Sequence, residues 1–364
     1  MKLKQVLLEY QDVVSKHDLD LGCLTSVTHS IVTGNEPPVK LKMRRTPLGF
    51  QEAEEEQLNK MLEAGVIELS FSNWASALVL IKKKYNAVRW TVDFIILNQN
   101  TVKDCFPLPI IADCLDTLQR NTYFSTLDLS SGYYQIKMAD KDRKKTAFIT
   151  RYGLFEHKRM GMGLCNAPAT FQRAMQLVLR RMIWTQVLVY IDDIIVLGKD
   201  FDCALQHLRN VFERMREYNL ILKLKKCELF QLEVEFVGKL VNAEGISIAP
   251  GNKQAVLNWP TPTKELMSFL GFAKYHRDHV PDFATITCCL YELAHSKDFI
   301  WLSRHDTSLQ KIKQALTSAP CLVYPTQEGE FILDTDASYN CIGAVLSQVQ
   351  AMKKKSYAMQ AMYY

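Results

Sequence analysis

The chain has 364 residues, 48% hydrophobic and 23% charged, with 44 Lys and Arg against 39 Asp and Glu for a net charge of +5. That balance supplies a globular core for roughly two to three domains and excludes a disordered tail, a collagen-like chain and a coiled-coil rod. No run reaches the roughly 18 apolar residues of a membrane span, and residues 1–5 lack an apolar h-region, so neither a span nor a secretory signal is expected.

In chain order, residues 1–35 read as a polar leader with one short helix. A helix follows over 51–65, with Leu58, Met61 and Leu62 on one face, Glu52, Glu54, Glu55 and Glu56 in its first turns and Gly65 at its end. Residues 75–81 and 89–94 form a strand pair with a basic tip at Lys82-Lys83-Lys84. Residues 110–118 form a short helix, and residues 123–129 a strand that puts Phe124, Thr126 and Asp128 on one side. A helix over 169–183 stands behind Pro168. Two apolar strands over 187–198 meet at Asp192-Asp193, and an amphipathic helix follows over 204–218. Strand pieces over 220–225 and 234–241 lead to a turn over 242–245. Residues 263–293 read as helical, with one more helix near Leu309, Ile312 and Leu316. Strands over 331–335 and 344–346 open a new β unit, and residues 352–364 read as a frayed tail. The ten cysteines show no C-x-x-C spacing and read as reduced thiols in an intracellular protein, not as a disulfide or zinc framework.

The chemistry concentrates at Asp192-Asp193. Two carboxylates between runs of Val, Ile and Leu are costly unless something compensates their desolvation. A solvent-exposed hairpin turn is an equally good reading of that pair taken alone. Asp128 shifts the balance. If its strand neighbours the hairpin, three carboxylates share one edge, and like charges so placed call for a divalent cation. Oxygen donors with no nearby His or Cys favour Mg²⁺.

The block Phe124-Ser125-Thr126-Leu127-Asp128-Leu129-Ser130-Ser131-Gly132-Tyr133-Tyr134-Gln135-Ile136 resembles the first catalytic motif of reverse transcriptases from gypsy-type LTR retrotransposons. Lys145-Thr146-Ala147-Phe148, Gly163-Leu164-Cys165-Asn166-Ala167-Pro168-Ala169-Thr170-Phe171-Gln172 and Tyr190-Ile191-Asp192-Asp193 resemble the blocks that follow. Thr91-Val92-Asp93-Phe94 and Phe106-Pro107-Leu108-Pro109 match upstream. Ser268-Phe269-Leu270-Gly271-Phe272 and Leu333-Asp334-Thr335-Asp336-Ala337-Ser338 match downstream.

The resemblance runs from about residue 29 to about residue 348. It implies an α+β right-hand polymerase fold, with fingers, an antiparallel-sheet palm backed by helices 110–118 and 204–218, and a helical thumb. A truncated RNase H-like β unit would follow. The implied domains are a leader (1–35), fingers and palm (36–248), thumb and connection (249–325), the RNase H-like start (326–350) and a tail (351–364).

The resemblance also implies RNA-directed DNA polymerisation. Asp128, Asp192 and Asp193 would hold two Mg²⁺ or Mn²⁺ ions. Lys83, Arg89, Tyr133 and Met162 would meet the dNTP, with Tyr133 excluding a ribose 2′-hydroxyl. Gln172, Tyr190, Gly238 and Lys239 would meet template and primer, and Asp336 would be an RNase H remnant. The implied partners are an RNA or DNA template with primer, and dNTPs, without a membrane. The implied location is cytoplasmic retroelement particles. Oligomeric state stays open, as do the roles of Lys223, Lys225 and Lys226, which either touch backbone phosphate or are solvated.

Three departures stand out. The finger turn is Lys84-Tyr85-Asn86, a poorer tight turn than the family's Lys-Lys-Asp-Gly. Ile95 stands where the family has arginine, which removes a cation or an ordering salt bridge. Gly161-Met162-Gly163 replaces Pro-Phe-Gly, which should loosen that loop. These departures support an alternative, a catalytically impaired nucleic-acid-binding relic. An unrelated two-metal nuclease is remote. After Asp336 the chain contains no Asp or Glu, so RNase H activity is not expected.

Overall fold

The computed structural model describes residues 2–82, 88–118, 121–262, 265–319, 321–324, 329–337, 341–350 and 353–363. They form two compact units. The first comprises Met1–Ile110 and Tyr123–Gln231, the second Ile111–Thr122 and Leu232–Tyr364.

The first unit is built around a four-stranded antiparallel sheet ordered Glu228–Gln231, Tyr123–Leu127, Asp193–Gly198, Val187–Tyr190. Its register sets Ile194 opposite Leu127 and Val196 opposite Ser125. Leu127, Val187, Val189, Ile194 and Val196 enter the main core beside Phe171, Met175 and Val178 of the Ala167–Val178 helix. Phe124, Leu188, Ile195 and Leu197 are also at most 1% exposed, so the sheet is buried on both faces. That explains why its strands read as continuous apolar runs. The Phe201–Glu217 helix packs along Asp193–Gly198. It starts where Asp200 accepts a hydrogen bond from the Cys203 N–H at 2.8 Å, an N-cap that satisfies one of the helix's free donors.

A five-stranded sheet completes this unit, ordered Ile67–Leu69, Gly153–His157, Phe148–Thr150, Ser76–Lys82, Val88–Asp93. The first 35 residues, expected as a separate leader, belong to the core instead. Val6, Tyr10, Val13, Leu24 and Ile31 are buried in it. Leu24–His29 also pairs in parallel with Ile136–Met138.

The second unit holds an antiparallel sheet ordered Glu233–Phe236, Lys239–Asn242, Gly245–Ile248, Leu322–Val323. The helices Pro250–Leu257, Leu266–Tyr275, Phe283–His295 and Ser303–Thr317 enclose a core that includes Val256, Phe269, Leu270, Leu290 and Ile312. The helical stretch expected over 263–293 is broken. A short turn at Arg277–His279 and then Pro281 interrupt it, since proline cannot donate to a continuing helix, and Asp282 takes a positive φ of 52°. The short helix Ile111–Leu118 belongs to this unit.

The C-terminal β unit is larger than expected. Phe331–Ala337, Cys341–Gln350 and Lys353–Tyr363 form a three-stranded antiparallel sheet. The tail expected to fray supplies its third strand, because its backbone groups find a ladder on Cys341–Gln350, with one irregularity between Leu346 and Ser347. Val345 and Leu346 are in the central strand.

Candidate active site

The sheet brings Asp128 and the Asp-Asp turn to one edge. Ile194 pairs with Leu127, so continuing the antiparallel register sets Asp193 opposite Asp128. Asp128 lies one residue beyond its strand, and its backbone is fixed on both sides. Its N–H donates to the Cys227 sulfur at 3.4 Å, and its carbonyl accepts from the Lys223 N–H at 2.8 Å. Its carboxylate accepts from the Lys226 ammonium at 3.0 Å. Asp192 and Asp193 are both solvent-accessible. The Asp192 carboxyl is held above the usual carboxylate range, first by partial desolvation, then by the charges of Asp193 and Asp128, with Lys226 opposing. Asp128 and Asp192 therefore feel each other, as the sequence required.

The turn itself is strained. Tyr190 pairs with Asp193, leaving Ile191 and Asp192 as a two-residue loop. Ile191 has φ +53°, in the left-handed region that a β-branched residue disfavours. Gln172 holds it there. The Gln172 side chain is 1% exposed, donates from Nε2 to the Val189 carbonyl at 3.1 Å and accepts at Oε1 from the Ile191 N–H at 2.8 Å. The resemblance placed Gln172 on the template side. The structure corrects this, because both ends of its amide are used on the turn backbone. The sequence signal was present: Gln172 is polar on a helix face otherwise formed by Phe171, Met175 and Val178.

Tyr133 stands beside the carboxylates. It is half-buried, its ring centroid lies 5.3 Å from that of Phe171, and its phenol is pushed up to about 12 by burial, with the Asp192 charge adding to the effect. Tyr190 is half-buried in the hairpin strand. Met162 is 46% exposed on a loop that is anchored, contrary to the expected loosening. Asn98 donates to the Gly163 carbonyl at 2.8 Å and accepts from the Cys165 N–H at 2.8 Å. Gly161 lies over the His157 ring, where an added Cβ would come within 3.2 Å. Nothing in the sequence reading marked Asn98 for this role. The cation lost at Ile95 also has a substitute in the same region, since Arg44 pairs with Asp93 at 2.6 Å.

Lys83 and the finger turn at Lys84-Tyr85-Asn86 lie outside the described residues. Arg89 has its backbone in the Val88–Asp93 strand opposite Ile81, and its side chain is not described.

Gly238 and Lys239 belong to the second unit. Gly238 has φ +73°, its carbonyl accepts from Asn252 at 2.9 Å, and Tyr275 donates to the neighbouring Val237 carbonyl at 2.5 Å. Lys239, expected to face the primer, turns inward. It is 5% exposed, with its ammonium 5.7 Å from the Tyr275 ring centroid and 3.9 Å from Asp278. Burial lowers its pKa. Asp336 falls in the Phe331–Ala337 strand opposite Gly343, and its side chain is not described.

Among the described residues, no group of three or more His, Cys, Asp or Glu side chains closes around a single point. The edge is open, and its donors are carboxylate oxygens, with the Asp192 carboxyl held above the usual range by partial desolvation and by the Asp193 and Asp128 charges. An open carboxylate pair fits a hard cation such as Mg²⁺, which typically takes one or two protein carboxylates and completes its shell with water and substrate phosphate.

A family model for reverse transcriptase (RNA-dependent DNA polymerase) matches residues 81–241. A model for the RNase H-like domain found in reverse transcriptase matches residues 301–361. That second match begins before residue 326 and continues past residue 348, so the resemblance extends further than expected, although the RNase H-like domain is only partly present. The chain is 34% identical over 358 residues to the retrovirus-related Pol polyprotein from transposon 297 of Drosophila melanogaster, covering 95% of this chain and 34% of that one. It is 36% identical over 365 residues to the Pol polyprotein from transposon opus of the same organism, covering 95% and 36%. The chain thus spans about a third of the length of these curated relatives. Among solved structures, the foamy viral protease-reverse transcriptase in complex with double-stranded DNA superposes with a TM-score of 0.88 at 24% identity, over 100% of this chain and 64% of that one. The same viral protein in complex with an RNA/DNA hybrid gives 0.86 at 24% identity, over 100% and 49%. At that identity the likeness shows the fold, a right-hand polymerase with mixed helices and sheets. Reverse transcriptases generally use divalent metal ions, and the two family-model matches, the transposon Pol relatives and the shared fold make this chain similar to the reverse transcriptases of retrotransposon Pol polyproteins.

Proposed function

We propose that the chain is an RNA-directed DNA polymerase that joins a dNTP to a primer 3′-hydroxyl on an RNA or DNA template. The observation that carries this is the strand register that sets Asp193 across from Asp128 at one open sheet edge, with Asp192 beside it in the hairpin turn. Asp128, Asp192 and Asp193 would hold two divalent ions, Mg²⁺ or Mn²⁺. Such ions neutralise the phosphate and stabilise the attacking and leaving oxygens of an in-line displacement. The chain's own contribution is positioning. Gln172 fixes the turn, the Cys227 and Lys223 backbone contacts fix Asp128, and Tyr133 walls the side of the pocket where a sugar would sit. Lys83, Arg89 and Met162 are proposed to meet the dNTP, and Tyr190 and Gly238 the primer end.

The intact carboxylates and the clamped turn favour this reading over a decayed, binding-only copy. The test is primer extension on an RNA template with Mg²⁺. Asp128→Asn and Asp192→Asn should each lower extension by about a hundredfold or more. Template-primer affinity should barely change, because duplex affinity comes from phosphate contacts. Wild-type extension by either variant would refute the assignment.

A further inference from the structure

The three lysines left open by the sequence are separated by the structure. Lys223 pairs through its ammonium with Asp18 at 2.7 Å. Lys225 lies exposed beside them. Lys226 donates to the Asp128 carboxylate at 3.0 Å and also opposes the raised pKa of Asp192, so its charge reaches two of the three carboxylates.

Its position is built. The Lys226 N–H donates to the Lys223 carbonyl at 2.9 Å, and the Lys223 N–H donates to the Asp128 carbonyl at 2.8 Å. On the other side, the Asp128 N–H donates to the sulfur of Cys227, the residue after Lys226. The backbone that carries the ammonium is therefore tied to the backbone of the carboxylate it meets.

An oxygen of Asp128 that receives an ammonium cannot also ligate a dication without bringing like charges together. Resting on the reading of this edge as a metal site, we propose that Lys226 is the resident counter-ion of the carboxylate edge, and that a divalent ion binds by displacing the Lys226 ammonium from Asp128. In the metal-free state Lys226 limits the repulsion among Asp128, Asp192 and Asp193. The same contact lowers the edge's affinity for metal. Both partners are partly exposed, at 58% and 39%, so the effect is modest and falls with salt.

The experiment measures Mn²⁺ binding to the purified chain by electron paramagnetic resonance, without nucleotide or nucleic acid. Lys226→Met should bind Mn²⁺ about threefold to tenfold more tightly than wild type at low salt, with the gap narrowing as monovalent salt rises. Lys225→Met removes the same charge one residue away and should shift binding by less than about twofold. Lys226→Arg keeps the charge and should stay near wild type. Asp128→Asn should weaken binding, and adding Lys226→Met to it should have little further effect, because the two side chains act as one coupled pair. Equal affinity of Lys226→Met and wild type, or an equal gain in Lys225→Met, would overturn the exchange while leaving the metal edge in place. Unchanged binding in Asp128→Asn would instead overturn the metal edge itself.

Discussion

Replacing Gln172 with leucine tests whether the turn that presents Asp192 is held by a single side chain. Leucine has similar bulk and suits the helix face, so the cavity term is small. Both hydrogen bonds to the turn disappear, leaving the Val189 carbonyl and the Ile191 N–H without their partner. A buried polar group left unpaired costs about 1–3 kcal/mol. Water can reach the half-buried side of the turn, so a total of about 2–4 kcal/mol is expected. Holding Ile191 at φ +53° costs a comparable amount, about 1–3 kcal/mol. Without the clamp the turn relaxes and Asp192 moves with it. Single-turnover primer extension should fall by about tenfold to a hundredfold, the scale of a misplacement near 1 Å. Template-primer affinity should stay within about twofold, and the melting temperature should fall. Adding Ile191→Gly, which removes the φ penalty, should recover part of the melting temperature. Wild-type extension by a measurably destabilised Gln172→Leu would show that the turn keeps its shape unaided. Loss of template-primer affinity at an unchanged rate would return Gln172 to the template side.

Tyr133→Val should raise the ratio of ribonucleotide to deoxyribonucleotide incorporation, since the ring beside Asp192 is proposed to exclude the 2′-hydroxyl. An unchanged ratio would make Tyr133 a packing partner of Phe171 only. His157 is 2% exposed, its ring nitrogens have no hydrogen-bond partner among the described residues, and burial lowers its pKa to about 4. The unfolded chain therefore takes up this proton first. The stability His157 contributes is full above its unfolded value near 6.5 and is lost as pH falls toward 4, by about 1–2 kcal/mol between pH 7 and 5. His157→Phe should flatten the fall in melting temperature over that interval, and a slope equal to wild type would contradict this account. The chain should not cleave the RNA strand of a labelled RNA–DNA hybrid. That chemistry needs several carboxylates around two metals, and the strands Phe331–Ala337, Cys341–Gln350 and Lys353–Tyr363 carry only Asp334 and Asp336. Cleavage that disappears in Asp336→Asn would refute the expectation.

The strands of the central sheet were legible because both of its faces are buried and their apolar runs are continuous. Asp128 and the Asp-Asp pair stood out as carboxylates where such runs end. Other features were hidden because they depend on which distant residue lies opposite. Alternation along residues 123–129 cannot reveal that Lys226 meets Asp128 across 98 positions. Nor can it show that Arg44 takes up Asp93 where Ile95 offers no charge. Lys239, which the resemblance placed at the primer, lies inward because its strand turns the side chain toward Tyr275 and Asp278, a placement that depends on the distant residues packed against it. The tail was misread because Lys353–Tyr363 has a weak pattern of its own and becomes a strand only through its partner. The break at Pro281 was visible in the sequence and should have divided the 263–293 stretch.

The site and the core are linked through one energetic balance. Carboxylates of like charge and an isoleucine at positive φ both work against the turn at 191–192. The hairpin strands oppose this. Val187, Leu188, Val189, Ile194, Ile195, Val196 and Leu197 are each at most 2% exposed, and burying a side chain of this kind contributes about 1.5–3 kcal/mol. That is ample to hold a tip whose own conformation is unfavourable. The apolar residues on either side of Asp192-Asp193 are thus the reason the carboxylates can stay crowded in the metal-free protein. Gln172 then converts that general stability into a fixed direction for Asp192, and Lys226 offsets part of the charge until a divalent ion takes its place. Loosening the core should therefore lower stability first. Altering Gln172 or Lys226 should change activity or metal affinity out of proportion to stability, which separates the residues that hold the sheet from those that tune its edge.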